Sequence, residues 1–254
     1  MTVDLHYTVD GPEDGPVLVL GSSLGTTGGL WQPQLAALAE RHRVVRYDHR
    51  GHGASPQPVG PYTMDDLGGD VLALLDRLEL AKASLGGISL GGMTAMWVAA
   101  HAPDRVDRLA LLCTSARLGP PEMWAERAAA VRTGGMAAIA DAVFARWLTP
   151  SFVERHNGVA AWVWRMLTSS PAEGYAACCE AIGGMDLFPV LGGVTAPTLV
   201  IAGAEDPATP AEHAERIAAA IPDARVEIVP DAAHLANVNA PEAVTDLLTR
   251  FLDG

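Results

Sequence analysis

Cysteine is scarce in this sequence, which has three among its 254 residues. A small, odd number of cysteines excludes the framework of disulfide bonds that stabilises small secreted domains. Cys178 and Cys179 are neighbours, and no histidine or further cysteine accompanies them at a spacing typical of metal ligands. We therefore expect Cys113, Cys178 and Cys179 to be small buried residues, with neither a disulfide nor a metal.

Basic residues are also few, because 17 Lys and Arg stand against 30 Asp and Glu, for a net charge of −13. Such a surface repels the phosphates of nucleic acids and of anionic lipids. We expect neither a nucleic acid nor a membrane surface as a partner. An anionic substrate would need a local basic group to offset this negative field.

Long apolar runs are absent, since none approaches the length of about 18 residues that spans a bilayer. Met1 to His6 lack the basic segment and apolar core that begin a secretion signal. With 49% hydrophobic and 19% charged residues, the composition is that of an ordinary globular protein. We expect the protein to be cytoplasmic.

Short apolar segments alternate with helical patterns along most of the chain. The apolar segments predict buried strands at 17–20, 44–47, 83–88, 108–113, 197–202 and 224–229. The helical patterns lie at 31–41, 64–78, 90–100, 211–220 and 241–252. This alternation indicates an α/β fold with a mostly parallel central sheet and helices on both faces.

Residues 119–192 break this alternation, because they show helical patterns and no convincing strand. The segment contains Trp124, Trp147, Trp162 and Trp164. We interpret it as a helical cap inserted into a core domain of residues 1–118 and 193–254, above the sheet edge where α/β folds bind ligands. Trp124 and Trp147 are candidate substrate contacts. The alternative, which the usual burial of aromatic residues favours, places each tryptophan in the core of the helical segment.

The most informative stretch is Gly87-Ile88-Ser89-Leu90-Gly91, which lies between a predicted strand and a predicted helix. In this context the pattern G-x-S-x-G is typical of a nucleophile elbow, a sharp turn that holds a serine clear of the backbone. The turn requires residues without side chains two positions before and after the serine. Gly87 and Gly91 meet that requirement, so Ser89 is the candidate nucleophile.

A serine hydroxyl needs a base within hydrogen-bond distance and an acid that orients the base. His234 lies in a short loop after the last predicted strand, and Asp206 lies just after the strand at 197–202. Both loops should reach the sheet edge where Ser89 lies. The chain order Ser, Asp, His is that of α/β-hydrolases. Glu205 and Asp231 are the alternative acids.

An oxyanion formed by attack on a carbonyl needs two N–H donors. The residue after the nucleophile, Leu90, supplies one of them. The loop after the first predicted strand should supply the other, and the distance from Trp31 favours Leu24 in Ser22-Ser23-Leu24-Gly25. The alternative is a glycine-rich loop without a catalytic role.

Asp48, His49 and His52 form a polar cluster within residues 48–55. These residue types could bind a metal, but no third or fourth ligand follows at a recognisable spacing. We therefore favour a polar loop that orders the sheet edge near the site, and we predict no metal.

Five segments point to one family. They are Ser23 to Thr27, 44–55 (VVRYDHRGHGAS), 87–92, 134–149 (GGMAAIADAVFARWLT) and 232–238 (AAHLANV). Through them the whole chain resembles the 3-oxoadipate enol-lactonases of bacterial aromatic-compound breakdown, within the α/β-hydrolase superfamily. The resemblance implies Ser89 as nucleophile, His234 as base and Asp206 as its orienting acid. It also implies hydrolysis of an enol-lactone with a carboxymethyl arm to 3-oxoadipate, without a cofactor.

The chain departs from this family at two places. Ser22 stands where an Asn is expected, and Gly183-Gly184 stand where an Arg often follows Ala-Ile. Another group must then bind the substrate carboxylate. Arg127, Arg132 and Arg165 are candidates, of which Arg132 is our choice, although a solvated helix face suits each of them. A helix N-terminus in the cap is a further alternative.

Fold and triad do not select the acyl group, so other functions stay open. One alternative is a carboxylesterase, another lactonase or a carbon–carbon bond hydrolase on the same fold. A second is a noncatalytic relative that binds a small ligand, which an intact Ser89, Asp206 and His234 disfavours. A dehalogenase is disfavoured because it needs a carboxylate nucleophile at the elbow.

Overall fold

The computed structural model describes all residues from Met1 to Gly254 and contains one sheet of seven strands. The strands are β1 (Tyr7–Asp10), β2 (Val17–Gly21), β3 (Arg43–Tyr47), β4 (Ala83–Ile88), β5 (Val106–Leu112), β6 (Thr198–Gly203) and β7 (Ala224–Val229). Their order across the sheet is β1-β3-β2-β4-β5-β6-β7. β1 pairs antiparallel with β3, and all other neighbours are parallel. The prediction of an α/β fold with a mostly parallel sheet is confirmed.

The sequence patterns missed β1. This four-residue strand, Tyr-Thr-Val-Asp, lies at the edge of the sheet and has no fully buried residue. It therefore lacks the continuous apolar run that marks the central strands. The edge strand is held by its register with β3, in which Tyr7 faces Tyr47 and Asp10 faces Val44.

Eleven α-helices accompany the sheet. They are α1 (Gln32–Leu38), α2 (Met64–Arg77), α3 (Leu90–His101), α4 (Pro121–Gly134), α5 (Ala140–Phe144), α6 (Pro150–Arg155), α7 (Asn157–Thr168), α8 (Ala172–Gly183), α9 (Ala211–Ala220), α10 (Ala236–Asn239) and α11 (Pro241–Asp253). The predicted helix at 31–41 is shorter in the structure, since Gly28–Trp31 form a separate 3-10 turn before α1 and α1 ends at Leu38. None of these helices has both the length and the apolar character required to traverse a membrane.

The segment between β5 and β6 contains α4 to α8 and no strand. Trp124 and Trp147 are buried in it, whereas Trp162 and Trp164 are half-buried. Its buried side chains belong to the same apolar cluster as those of the sheet, so the helices are packed onto the rest of the protein. The division into a core of residues 1–118 and 193–254 and a cap of 119–192 stays a prediction.

The three cysteines are buried, as expected. Burial raises the pKa of the Cys179 thiol to about 12, and it also raises the pKa values of Cys113 and Cys178. At neutral pH all three are therefore thiols that pack as small apolar groups.

Candidate active site

Ser89 occupies a tight turn between β4 and α3. Its φ of 55° and ψ of −116° lie in a region that residues with a side chain rarely adopt. The turn brings backbone segments into close contact: a Cβ on Gly87 would lie 2.1 Å from the carbonyl carbon of Gly91. A Cβ on Gly91 would lie 2.3 Å from that of Gly21. The two glycines are thus required by space, as the elbow pattern predicts.

The three predicted catalytic residues lie together at the carboxyl ends of β4, β6 and β7. The distance from His234 Nε2 to Ser89 Oγ is 2.9 Å, and that from His234 Nδ1 to Asp206 Oδ2 is also 2.9 Å. The carboxylate accepts the Nδ1–H of the neutral imidazole, which leaves Nε2 as an acceptor for the serine hydroxyl. All three side chains are buried. This is the arrangement in which a serine hydroxyl can be deprotonated as it attacks.

Asp206 is the best-satisfied group of the site. Its Oδ1 accepts the N–H groups of Ala208 and Thr209, at 2.8 and 3.0 Å, and its Oδ2 accepts the Thr209 hydroxyl at 2.7 Å. Burial alone would raise the pKa of Asp206, but His234 and the donors from Thr209 lower it to about 2. The carboxylate therefore stays ionised at neutral pH. The alternative acids, Glu205 and Asp231, are exposed and make no hydrogen bond to His234.

The loop of His234 is attached to the helical segment through the backbone. The N–H of His234 donates to the carbonyl of Arg146 at 3.4 Å, and the N–H of Leu235 donates to that of Trp147 at 2.9 Å. The residues just after α5 are thereby held at a fixed distance from the imidazole.

The N–H groups of Leu24 and Leu90, the predicted oxyanion donors, have no acceptor within the protein. Leu90 is the first residue of α3, so its N–H points along the positive end of the helix dipole. Leu24 precedes Gly25, whose φ of 81° turns the chain sharply. The carbonyl of Ser22 accepts the Gly91 N–H at 3.0 Å and so joins the Leu24 loop to the elbow. Two unpaired donors beside Ser89 suit an oxyanion.

A cavity of about 220 Å³ opens over Ser89 and His234. Most of its wall is apolar, and Trp124 and Trp147, the candidate substrate contacts, both contribute to it. Trp124 is oriented by its indole N–H, which donates to the Leu118 carbonyl at 2.7 Å. A small apolar substrate body with an ester group near Ser89 would be shielded from water there.

Arg132, our choice for the substrate carboxylate, does not line this cavity. Its guanidinium pairs with Glu173 and Glu180 of α8, against which α4 packs. The two glutamates stand seven residues apart, so they project from the same face of α8. Arg165 is exposed and lies outside the cavity as well. The structure brings neither residue to the site.

Two other arginines, Arg127 and Arg146, line the cavity together with Ser89. Neither forms an ion pair with a carboxylate of the protein. Arg127 lies over the ring of Trp124, with 4.6 Å from Cζ to the ring centroid. Burial, and then the charge of Arg127, lower the pKa of Arg146. In a chain with a net charge of −13, two unpaired guanidinium groups facing a nucleophile favour an anionic ligand.

Arg127 was among the sequence candidates, whereas sequence reasoning missed Arg146. The available signal was its place directly before Trp147, within the segment 134–149 that carries the family resemblance. If α5 continued through Arg146 and Trp147, these neighbouring side chains would point in different directions around the helix. α5 ends at Phe144, so both side chains can reach the cavity.

Comparisons with known proteins identify the family of the chain. The profile of the alpha/beta hydrolase fold family matches residues 16–241. The 3-oxoadipate enol-lactonase 2 of Acinetobacter baylyi is 41% identical over 95% of this chain and 90% of its own length. The 3-oxoadipate enol-lactonase 1 of the same species is 36% identical, over 98% and 92%. The crystal structure of the enol-lactonase from Burkholderia xenovorans is 44% identical, with a TM-score of 0.97 over 99% of this chain and 97% of that one.

The sheet, the serine elbow and the matched profile define a hydrolase of the α/β-hydrolase class. The chain belongs to the α/β-hydrolase fold family, and its resemblance to the 3-oxoadipate enol-lactonases is confirmed.

Proposed function

We propose that the protein is a cytoplasmic serine hydrolase that opens 3-oxoadipate enol-lactone to 3-oxoadipate. The observation that carries the proposal is that two guanidinium groups without a carboxylate partner, those of Arg127 and Arg146, line the cavity that contains Ser89. An enol-lactone with a carboxymethyl arm is a small ring that carries one negative charge. It matches a cavity with an apolar wall, a nucleophile and two cations. The names of the relatives, at 41% and 36% identity, support the same substrate.

The first half of the reaction forms an acyl-enzyme. His234 Nε2 takes the hydroxyl proton of Ser89 as Oγ bonds to the ring carbonyl carbon. The carbonyl oxygen becomes an oxyanion, which the N–H groups of Leu24 and Leu90 stabilise. When the carbonyl re-forms, the ring C–O bond breaks and the enolate oxygen leaves. It receives a proton from His234, which returns to its neutral form.

The second half releases the product. The leaving enol is still tethered to the acyl chain, so it could attack the ester again and close the ring. Its conversion to the ketone removes that nucleophile. Water then attacks the acyl-enzyme while His234 accepts one of its protons, and that proton passes to Ser89 Oγ as the ester bond breaks. The carboxylic acid that is formed releases its own proton to solvent and leaves as the carboxylate. Asp206 orients His234 in both halves and stabilises the imidazolium.

The alternative function is that of a carboxylesterase, another lactonase or a carbon–carbon bond hydrolase with the same nucleophile. The deciding test follows the ultraviolet decay of freshly generated 3-oxoadipate enol-lactone and identifies the product by mass spectrometry. We expect decay far above the spontaneous rate, with 3-oxoadipate as the product. Decay at the spontaneous rate, in protein that reacts with a fluorophosphonate, would retain the serine hydrolase and reject the lactonase.

The two cavity arginines should determine selectivity for an anionic substrate. We expect Arg127→Gln and Arg146→Gln each to lower kcat/KM for the enol-lactone by about 10- to 100-fold, since a charge-assisted hydrogen bond to a buried carboxylate contributes about 1.5–3 kcal/mol. Hydrolysis of a neutral ester such as p-nitrophenyl acetate should change by less than about threefold. Steady-state kinetics with both substrates measures the difference.

The matched control is Arg165→Gln, which removes a charge of the same helical segment outside the cavity. It should leave both substrates unaffected. Equal losses for the charged lactone and the neutral ester in the Arg127 and Arg146 variants would contradict a role in carboxylate binding.

A further inference from the structure

The polar segment of residues 48–55 has no role in the mechanism above, yet its two histidines contact the loop that carries Leu24. His52 is completely buried. Its Nε2 lies 3.0 Å from the backbone nitrogen of Gly25, and its Nδ1 lies 3.3 Å from the carbonyl oxygen of Arg50. Because the Gly25 N–H can only donate and the Arg50 carbonyl can only accept, Nε2 must be the acceptor and Nδ1 must carry the proton.

His49 contacts the other side of the same loop. Its Nε2 lies 3.1 Å from the carbonyl oxygen of Ser22, so this nitrogen carries the proton and donates. The Ser22 carbonyl also accepts the N–H of Gly91 from the elbow helix. His49 thus contacts the backbone before Leu24, at Ser22, and His52 contacts the backbone after it, at Gly25.

The His52 contact requires an uncharged imidazole, because its Nε2 must accept, and the surroundings keep both rings uncharged. Burial lowers the pKa of His49 to about 3, assisted by neighbouring His52, and burial also lowers the pKa of His52. Asp48, the carboxylate of the segment, acts in the opposite direction on the pKa of His52, but burial outweighs it. The Asp48 oxygens accept the N–H groups of Gly28 and Ala54. A charged His52 would have no lone pair at Nε2 and could not accept from Gly25.

The need for such a support follows from the geometry of the loop. Gly25 has a φ of 81°, and the Leu24 N–H must stay unpaired if it is to bind an oxyanion. A loop with an unpaired donor can turn that donor to another acceptor unless its neighbours are held. Preorganised donors contribute most to catalysis, because they do not reorient during the reaction.

We propose that His52 is a positioning residue that aims the Leu24 N–H at the oxyanion through its hydrogen bond from Gly25, with His49 supporting the loop at Ser22. The proposal rests on the proposed nucleophilic role of Ser89, but it does not depend on the lactone. The hydrogen bond should therefore affect the transition state of any acyl substrate and leave ground-state binding unchanged.

The test compares His52→Asn with His52→Gln. The Asn side-chain amide can replace Nδ1 as the donor to Arg50, but it is too short to replace Nε2, whereas Gln can place an oxygen near Gly25. We expect Asn to lower kcat for p-nitrophenyl acetate by about 10²-fold, the effect of losing one oxyanion donor, with KM changed less than about twofold. The kcat of His52→Gln should be at least about tenfold higher than that of His52→Asn.

A second readout separates positioning from general damage. An aryl trifluoromethyl ketone forms a tetrahedral adduct with the serine, so its affinity should fall by the same factor as kcat/KM in His52→Asn. Competitive inhibition by free 4-nitrophenol, which forms no oxyanion, should be unchanged. The control variant His42→Asn removes another buried histidine, which contacts Asp253 and lies before β3, at the opposite edge of the sheet. It should leave kcat unchanged.

The outcomes are distinct. Wild-type protein that neither cleaves the ester nor reacts with a fluorophosphonate would reject the serine hydrolase itself. An active wild type with a His52→Asn variant that retains kcat within about twofold would overturn the positioning role. Equal weakening of the ketone and of 4-nitrophenol would overturn it too, because a collapsed site weakens both. If His52→Asn does not fold, the test uses His52→Gln, which should retain both kcat and affinity for the ketone. A folded His52→Gln variant in which kcat, ketone affinity and 4-nitrophenol binding all fall by the same factor rejects the proposal.

Discussion

Replacing Ser89 with alanine should lower kcat by at least about 10⁴-fold, the largest effect that we expect from any single substitution. The variant keeps the N–H donors of Leu24 and Leu90 and keeps the cavity, but it has no oxygen that can form the acyl-enzyme. A second substitution, His234→Gln, should cost little more in this background, because the two residues act as a unit. Product formation from the enol-lactone and from p-nitrophenyl acetate measures both effects.

The matched control for this prediction is Ser115→Ala. Ser115 is another buried serine with a histidine partner, since its Oγ lies 2.8 Å from His213 Nδ1. It does not line the cavity, and no carboxylate orients its histidine as Asp206 orients His234. We expect Ser115→Ala to retain activity and fluorophosphonate labelling. Substantial turnover by Ser89→Ala, or labelling that persists in it, would reject Ser89 as the nucleophile.

The second large effect concerns stability rather than chemistry. We expect Gly91→Ala to lower the free energy of unfolding by at least about 3 kcal/mol, because overpacking against an immobile backbone is among the costliest substitutions. The new Cβ would lie 2.3 Å from both the carbonyl carbon and oxygen of Gly21 at the end of β2. Neither backbone can retreat, since β2 lies inside the sheet and α3 packs on it. Chemical denaturation monitored by circular dichroism measures the change.

Gly158→Ala is the appropriate comparison, because Gly158 lies in α7 and has nothing within 4 Å of an added Cβ. Alanine there should stabilise the protein by up to about 1 kcal/mol, through its higher helix propensity and its smaller loss of chain entropy. If Gly91→Ala were as stable as the wild type, the close approach of the elbow to β2 would be refuted.

Much of the fold could be read from local patterns. The strands at 83–88 and 224–229 and the helix at 211–220 have the predicted bounds, and the other predicted strands differ by one or two residues at an end. The central strands are buried, which imposes continuous apolar runs on their sequences, and α9 buries one face, which imposes a helical period. β1 has two exposed residues at its centre and no apolar run, so nothing local distinguishes it from a loop.

The placement of Ser89, Asp206 and His234 could also be predicted, for a topological reason. In a parallel sheet the loops after successive strands emerge at the same edge, so residues just past β4, β6 and β7 must lie near one another. Because the sequence shows that each of these loops follows a predicted parallel strand, it predicts that all three lie at the same edge of the sheet. The distances of 2.9 Å are seen only in the folded structure.

The arginines show what sequence alone left open. Arg127 and Arg132 belong to the same helix, and their local sequences do not distinguish a ligand contact from a surface ion pair. The packing of α4 on α8 decides the matter, because it brings Glu173 and Glu180 to Arg132 and leaves Arg127 facing the cavity.

By itself, the sequence determined the α/β class, the elbow and the chain order of the triad, because each follows from local periodicity or from the steric demands of a turn. Only the tertiary structure decided which arginines line the cavity with Ser89, and that His49 and His52 contact the loop of Leu24. These properties depend on contacts between segments distant in the chain. The physical reason is that side-chain pairing across packed elements is set by their relative rotation and distance, which no local pattern encodes.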